Sequence, residues 1–321
     1  MNPDLPPADA LPPTKRVRSN LRQRVVWGSI AAVLLIGCTY GGPISFGLFL
    51  AGVQAVMLKE FYRIMRAGGY APAKWIGIVA GTWLFGITTA SLLLGRALAP
   101  SLFGTFGGPP AGAGSLAGSA GLAFGVGSSA FHFLLLFLGL PVALWLREIW
   151  MWPGNQKPFQ NIAVTLGGLL YISLPMSFLS LIALDGGRYD PRHVFCLILL
   201  VWAADTGAYF AGKNFGKHKL APTISPGKTW EGWAGGALLA LVVGWAFGQF
   251  VPDIPLTHRL VAAGVVAVFG PLGDLAESML KRSAGVKDSG TFLPGHGGLL
   301  DRFDAFLLVL PVLVLLQLLA G

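Results

Sequence analysis

Charge is scarce in this chain. Asp, Glu, Lys and Arg together make up 12% of its 321 residues, roughly half of what a water-soluble domain carries, which excludes an ordinary soluble globular fold. Cysteine is nearly absent. Cys38 and Cys196 lie far apart within apolar runs, which excludes a disulfide framework and a C-x-x-C metal site and leaves both as packing residues. Acidic residues number 14 against 23 Lys and Arg, yet no nucleic-acid partner follows from the formal charge of +9. The cations gather in short clusters between apolar runs, as cytoplasmic loops of membrane proteins do. What the chain has in excess is hydrophobicity: 54% apolar residues and a mean hydropathy of +0.66, spread along the whole length and implying one membrane domain.

A spanning helix needs about 20 mainly apolar residues. Segments near 25–41, 43–58, 74–95, 129–146, 160–184, 193–212, 230–251, 258–280 and 302–320 meet that requirement, the second being short. The fold class they predict is an all-α polytopic integral membrane protein with about nine transmembrane helices. Residues 1–24 are Pro-rich and then basic (Lys15, Arg16, Arg18, Arg22, Arg24); this leader is long for a signal n-region, and it reads as a retained, disordered cytoplasmic tail. With the N-terminus cytoplasmic, nine crossings put loops 59–73, 147–159, 213–229 and 281–301 inside and the C-terminus outside. Those loops carry the cations, whereas 96–128, 185–192 and 252–257 hold few, so one topology satisfies the positive-inside bias. The Gly-rich stretch 101–128 reads as a flexible non-cytoplasmic linker. Helices of 25–200 then precede a catalytic region, 201–321.

Chemistry begins at Asp205, because a carboxylate inside an apolar run is expensive to hold in lipid. Asp205 and Tyr209 share a helix face one turn apart. The run then breaks into Gly212, Lys213, Gly216, Lys217 and Lys219, where glycines and ammonium groups suit phosphate oxygens. The following SPGKT string (Ser225 to Thr229) lacks the spacing and the preceding strand of a P-loop. By itself this segment also fits an ordinary basic connector. A second polar region changes that balance. Asp274, Glu277, Ser278 and Lys281 stand at i, i+3, i+4 and i+7, one face of a helix. A loop with Arg282, Lys287, Asp288 and His296 follows, and the last run opens on Asp301, Arg302 and Asp304. Carboxylates from two helix ends among cations and glycines can hold Mg²⁺ against a nucleoside triphosphate. Nothing in the sequence around His296 fixes a general-base geometry.

Residues 278–304, SMLKRSAGVKDSGTFLPGHGGLLDRFD, resemble the signature of the phosphatidate cytidylyltransferase family: Ser-x-x-Lys-Arg, four residues, Lys-Asp, then Pro-x-His-Gly-Gly-x-x-Asp-Arg-x-Asp, without departure. The stretch from Asp205 to Glu231, with DTGAYFAGKNFGK and ISPGKTWEG, is similar to the family's upstream loop. The matches cover roughly the last third of the chain, and many fixed polar positions make them far more specific than a lone glycine motif.

The resemblance implies a transferase that converts CTP and phosphatidic acid into CDP-diacylglycerol and pyrophosphate. It implies a Mg²⁺ requirement, with K⁺ as a second ion open to the family. It places metal ligands at Asp274 and Asp301 and extends to Asp288 and Asp304. Lys281, Arg282, Lys287, Asp288, His296 and Arg302 become the expected catalytic group. Asp205, Tyr209, Lys213, Lys217, Ser225, Lys228, Thr229, Glu231, Ser278, Gly297 and Gly298 become the expected substrate-binding group. Membrane lipids are the surroundings, a homodimer is one assembly open to it, and a bacterial inner membrane with a cytoplasmic active site is the expected location. Two other readings compete: a CTP-dependent lipid or polyprenol kinase, and an ion-coupled transporter. The absence of an inverted repeat weighs against the latter.

Overall fold

The computed structural model describes residues 21–98, 116–185, 188–292 and 297–320. Ten α-helices dominate them: α1 (Leu21–Tyr40), α2 (Pro43–Ala67), α3 (Lys74–Leu98), α4 (Leu116–Trp150), α5 (Pro158–Gly168), α6 (Leu174–Ile182), α7 (Pro191–Phe215), α8 (Trp230–Ala246), α9 (Leu256–Ser283) and α10 (Leu300–Ala320). A π turn, Leu169–Ser173, fuses α5 and α6 into one rod. Seven helical rods among the described residues are long and apolar enough to cross a membrane, and Val26–Tyr40 is a shorter apolar helix. The chain is an all-α polytopic membrane protein. Helices suit that setting because every backbone N–H and C=O finds its partner within the segment.

Each apolar segment expected from the sequence overlaps a helical rod, with two differences. The second is not short: α2 continues nine residues past 58 to Ala67, because Glu60, Phe61, Tyr62, Ile64 and Met65 keep burying one face. The connection expected at 59–73 therefore shrinks to 68–73. In addition, α4 starts at Leu116, inside the Gly-rich stretch 101–128, of which 101–115 lies outside the described residues, as do residues 1–20 of the tail. Two short hairpins occupy connections that read as plain loops: β1 (Leu184–Asp185) with β2 (Arg188–Tyr189), and β3 (Lys219–Ala221) with β4 (Ser225–Thr229).

One large core joins α2, α6, α7, α9 and α10 through Phe46, Leu50, Met57, Leu58, Met176, Leu200, Val266, Leu300 and Leu310, among others. Hydrophobic association is weak inside lipid, so close helix contact there relies on small residues and on hydrogen bonds. α7 and α8 show this. A Cβ on Gly207 would lie 2.6 Å from the Gly235 carbonyl, and one on Gly236 would lie 2.6 Å from the Ala204 carbonyl. Large apolar side chains face outward instead, on α4 above all, where Phe137 and Ile149 are exposed. That is the surface acyl chains require.

The connections sort to two ends of the bundle. At one end Ala71 donates its N–H to Asn161 Oδ1 (2.7 Å) and Arg147 donates to Ala71 O (2.9 Å). Arg147 also pairs with buried Glu148, which accepts from Asn155 and Asn161. At the other end Tyr189 donates to Thr39 O (2.6 Å), and Arg192 bridges Asp190 (2.6 Å) and Asp253 (2.8 Å). The arginine holds the Asp190 carboxyl below the usual carboxylate range.

Candidate active site

Three elements converge below the first of these ends. α9 breaks its hydrogen-bond ladder at Pro271, which has no N–H to give the carbonyl four residues earlier. That carbonyl, Ala267 O, accepts instead from Trp233 Nε1 of α8 (2.6 Å). Pro271 O accepts from Lys228 Nζ (3.1 Å), and the same ammonium pairs with Asp274 at 2.6 Å. Lys228 belongs to β4, whose last residue, Thr229, caps α8 by accepting from Gly232 N (3.1 Å). Glu231 locks the hairpin: it accepts from the N–H groups of Lys217 (3.1 Å) and His218 (3.2 Å) and from His218 Nδ1 (2.6 Å). The upstream motif thus delivers one lysine to α9 and fixes the start of α8.

The downstream signature is organised around Asp301. α9 ends in a Schellman arrangement: Val286 N donates to Lys281 O (3.0 Å), Gly285 N donates to Arg282 O (3.0 Å), and Gly285 has the left-handed φ of 68° that this cap requires. The chain then returns to open α10. Lys281 Nζ lies 2.7 Å from both Glu277 and Asp301 Oδ1. Asp301 Oδ2 accepts from Ser289 N (3.3 Å) and Gly298 N (3.0 Å). Glu60 of α2 supports the loop from behind. Only 5% exposed, it accepts from Leu300 N (2.8 Å) and Ser289 Oγ (3.4 Å), while Arg63 donates to Ser289 O. A Cβ on Gly298 would sit 1.9 Å from Ser289 Oγ and 2.7 Å from Glu60 Oε2, so a side chain there would push the loop off its anchor.

Between these two assemblies lies a group of carboxylates. Asp274, Glu277 and Asp304 each place one oxygen within 4.8 Å of the others. α9 and α10 meet closely enough to allow it: a Cβ on Gly273 would lie 2.5 Å from Asp304 O. Asp205, on α7, feels the charges of Asp274, Lys228 and Arg302. The carboxylates outnumber the cations paired with them, and Glu277 Oε1 is buried without a partner. An all-oxygen set with an orphaned, fully buried carboxylate oxygen fits a hard divalent cation. The group is recessed. Asp205 stands ten residues before the end of α7 and Asp274 nine before the end of α9, about 15 and 13 Å at 1.5 Å per residue.

Of the residues singled out in the sequence, Asp205, Lys228, Asp274, Glu277, Ser278, Lys281, Asp301 and Asp304 come together here; Ser278 Oγ donates to Asp274 Oδ1 at 3.3 Å. Thr229, Glu231 and Gly298 hold backbone in place, and Gly297 takes a left-handed φ of 85°. Ser225 pairs with Ala221 in the hairpin. Tyr209, Lys213, Lys217, Arg282, Lys287, Asp288 and Arg302 are exposed, with Lys213 Nζ 5.8 Å from the centre of the Tyr209 ring. His296 lies outside the described residues. Asp274 is grouped with Glu277 and Asp304, whereas Asp301 is occupied by Lys281 and two backbone N–H groups. Glu60 escaped the sequence reading altogether, and Arg63 entered it only as one cation of the basic loop 59–73; the cost of a carboxylate at the end of an apolar run was the available signal for Glu60.

A family model described as the Cytidylyltransferase family matches residues 114–319, which include every site residue above except Glu60 and Arg63. The chain belongs to the cytidylyltransferase family. It is a nucleotidyltransferase by that membership. A phosphatidate cytidylyltransferase of Bacillus subtilis (strain 168) is 33% identical over 300 residues, 92% of this chain and 97% of that one. Enzymes with the same name from Staphylococcus saprophyticus and Staphylococcus aureus (strain COL) are each 44% identical over 163 residues, 50% of this chain and 61% of theirs.

Proposed function

We propose that this chain is a phosphatidate cytidylyltransferase, converting CTP and phosphatidate into CDP-diacylglycerol and pyrophosphate. The observation that carries the reading is the recessed group Asp274, Glu277 and Asp304 beside Lys228 and beneath the signature loop. A phosphate oxygen of phosphatidate attacks the α-phosphorus of CTP and forms the new P–O bond. The bond from that phosphorus to the α,β-bridging oxygen breaks, and its electron pair leaves with pyrophosphate. The attacking oxygen is already anionic, so the step needs no strong base and depends on positioning and charge neutralisation.

Asp274, Glu277 and Asp304 would hold Mg²⁺, which supplies neutralisation of the triphosphate when bound. Lys228 adds a cation to the same place, and Asp301 keeps Lys281 and the loop in register. The exposed cations Lys213, Lys217, Arg282 and Lys287 draw CTP from water by raising its local concentration. Phosphatidate keeps its acyl chains in the leaflet. The connections at the site's end of the bundle hold Lys and Arg, which supports a cytoplasmic active site, and with bacterial relatives an inner-membrane location.

Label transfer from [α-³²P]CTP to phosphatidate in mixed micelles with Mg²⁺ tests the reading. Wild-type protein should label the lipid and release pyrophosphate, and Asp274→Asn should lose activity by about 10²–10³-fold together with the Mg²⁺-induced rise in unfolding temperature. CDP release in place of pyrophosphate would indicate a kinase, and no turnover by folded protein would leave the transporter. Exchanging K⁺ for Na⁺ in the same assay reads the second ion.

A further inference from the structure

Pro271 lies inside a spanning helix, α9, and takes a ladder donor away from Ala267 O. Such breaks are tolerated in lipid because a neighbouring helix supplies the missing partner. Here the supply is double. Trp233 Nε1 of α8 donates to Ala267 O at 2.6 Å, and Lys228 Nζ of β4 donates to Pro271 O at 3.1 Å. Both donors come from one short stretch that is itself fixed: Thr229 caps the first turn of α8 at Gly232 N, and the ring of Trp230 packs 5.0 Å from that of Trp233. One of the gripped carbonyls is at the proline and the other about one helical turn before it. Ala267 is buried, out of reach of solvent.

The carboxylates stand on the far side of the same break. Asp274 and Glu277 follow Pro271 by three and six residues, about 4.5 and 9 Å along the axis. On those lever arms a change of about 10° in the tilt at Pro271 carries them about 0.8 and 1.5 Å sideways relative to Asp304 on α10. Metal sites keep their distances within about 0.2 Å. α10 limits the movement in one direction only, since Gly273 already lies against it with no room for a Cβ. In the other direction the hydrogen bonds from β4 and α8 hold the break.

We infer that Trp233 is a positioning residue for the Asp274, Glu277 and Asp304 group: its indole N–H, through Ala267 O, holds α9 at the tilt that brings the carboxylates of α9 and α10 to the spacing of a small divalent cation. It acts through the backbone of α9. This rests on the reading of that group as a Mg²⁺ site. Mg²⁺ takes near-octahedral oxygens at about 2.0–2.1 Å, whereas Ca²⁺ accepts six to eight at about 2.3–2.6 Å in flexible geometry. A tilt released from α8 therefore penalises Mg²⁺ more than Ca²⁺, a signature that a loss of stability alone does not produce.

The test is Trp233→Phe, which keeps a ring and removes the donor. Wild type and variant, stripped with EDTA and exchanged into metal-free nanodiscs, are titrated separately with MgCl₂ and CaCl₂, and the unfolding temperature is followed at each concentration. The variant should need about 10-fold more Mg²⁺ for the half-maximal rise, in the range that outer-shell substitutions cost, with a smaller shift of the Ca²⁺ midpoint. Equal midpoints in wild type and variant overturn the inference, and so does an equal shift for the two ions, which makes Trp233 a structural partner of Ala267 O alone. Should the variant not fold, Trp233→Phe combined with Pro271→Ala returns a backbone donor to Ala267 O; that protein should still bind Mg²⁺ weakly, and wild-type Mg²⁺ affinity in it overturns the inference. A wild-type protein whose unfolding temperature is insensitive to Mg²⁺ overturns the metal reading and the inference together. Wild-type Mg²⁺ binding without cytidylyl transfer overturns the proposed function alone, a result separable from any effect of the substitution.

Discussion

Replacing Glu60 by alanine removes the group that ties α2 to the signature loop. Its Oε2 accepts from Leu300 N at 2.8 Å and from Ser289 Oγ at 3.4 Å, and both donors belong to residues with no exposed surface. In the alanine variant the Leu300 N–H is left buried and unpaired, which costs about 1–3 kcal/mol. The negative charge at the start of α10 also disappears, which costs about a further 0.3–1 kcal/mol through the helix dipole. The local penalty is then about 1.3–4 kcal/mol. Glu60→Gln keeps an acceptor oxygen and loses only the charged part, about 1 kcal/mol.

Lys287 lies on the loop that would open, and it is exposed, so limited trypsin digestion at this position reads the opening directly. Cleavage tracks the open population when reclosing is fast. At 1.4 kcal/mol per decade, cleavage in Glu60→Ala should be faster by about 8- to 700-fold, and in Glu60→Gln by about fivefold. Activity should fall in the same order, because Asp301 and Lys281 are held by the same loop. Equal cleavage rates in wild type and Glu60→Ala would refute the anchoring argument, whatever the activity showed.

Lys281→Met leaves Glu277 and Asp301 without the ammonium that bridges them at 2.7 Å. Breaking a buried ion pair by removing one partner costs about 3–5 kcal/mol, so the unfolding temperature in micelles should fall by several degrees; a fall of less than one degree would show that the bridge contributes nothing. At the opposite end, hydrogen bonds from Arg192 hold the Asp190 carboxyl below its usual range. A carboxyl whose folded value is depressed adds stability that is present above its unfolded value, about 3.9, and is lost as pH falls through the lower folded value. The difference in unfolding temperature between wild type and Asp190→Asn should accordingly be constant above about pH 5 and vanish in acid. A difference that persists unchanged into strong acid contradicts the assignment.

The helices were readable because lipid imposes a simple demand on composition, and an apolar run of sufficient length satisfies it in only one way. The signature was readable because its polar residues stand at helical spacing: Asp274, Glu277, Ser278 and Lys281 do share one face. Spacing does not reveal what comes from elsewhere in the chain. Glu60 lies between Lys59 and Arg63, and locally the three look like a basic loop. Only the packing of α2 against α10 turns Glu60 into an anchor for Leu300. The end of α2 was misplaced for the same reason: the apolar face of Phe61, Tyr62, Ile64 and Met65 is recognisable as a helix face once something is packed against it.

Asp301 poses a sharper case. As a lone residue in an Asp-Arg-x-Asp element it reads as a metal ligand, yet three donors from three other positions, Lys281, Ser289 and Gly298, already satisfy it. Asp304, three residues on and one turn deeper, joins Asp274 and Glu277. A helix places residues three apart on the same face, so one turn of α10 presents both carboxylates to α9, the outer one to Lys281 and the inner one to the recessed group. The outer carboxylate fixes the loop and the lysine, and the inner one is the carboxylate that the proposed function gives to Mg²⁺. Exchanging the two roles would require Lys281 to leave Glu277, whose burial makes that separation costly. The division of labour between the two aspartates therefore follows from the bridge that Lys281 makes.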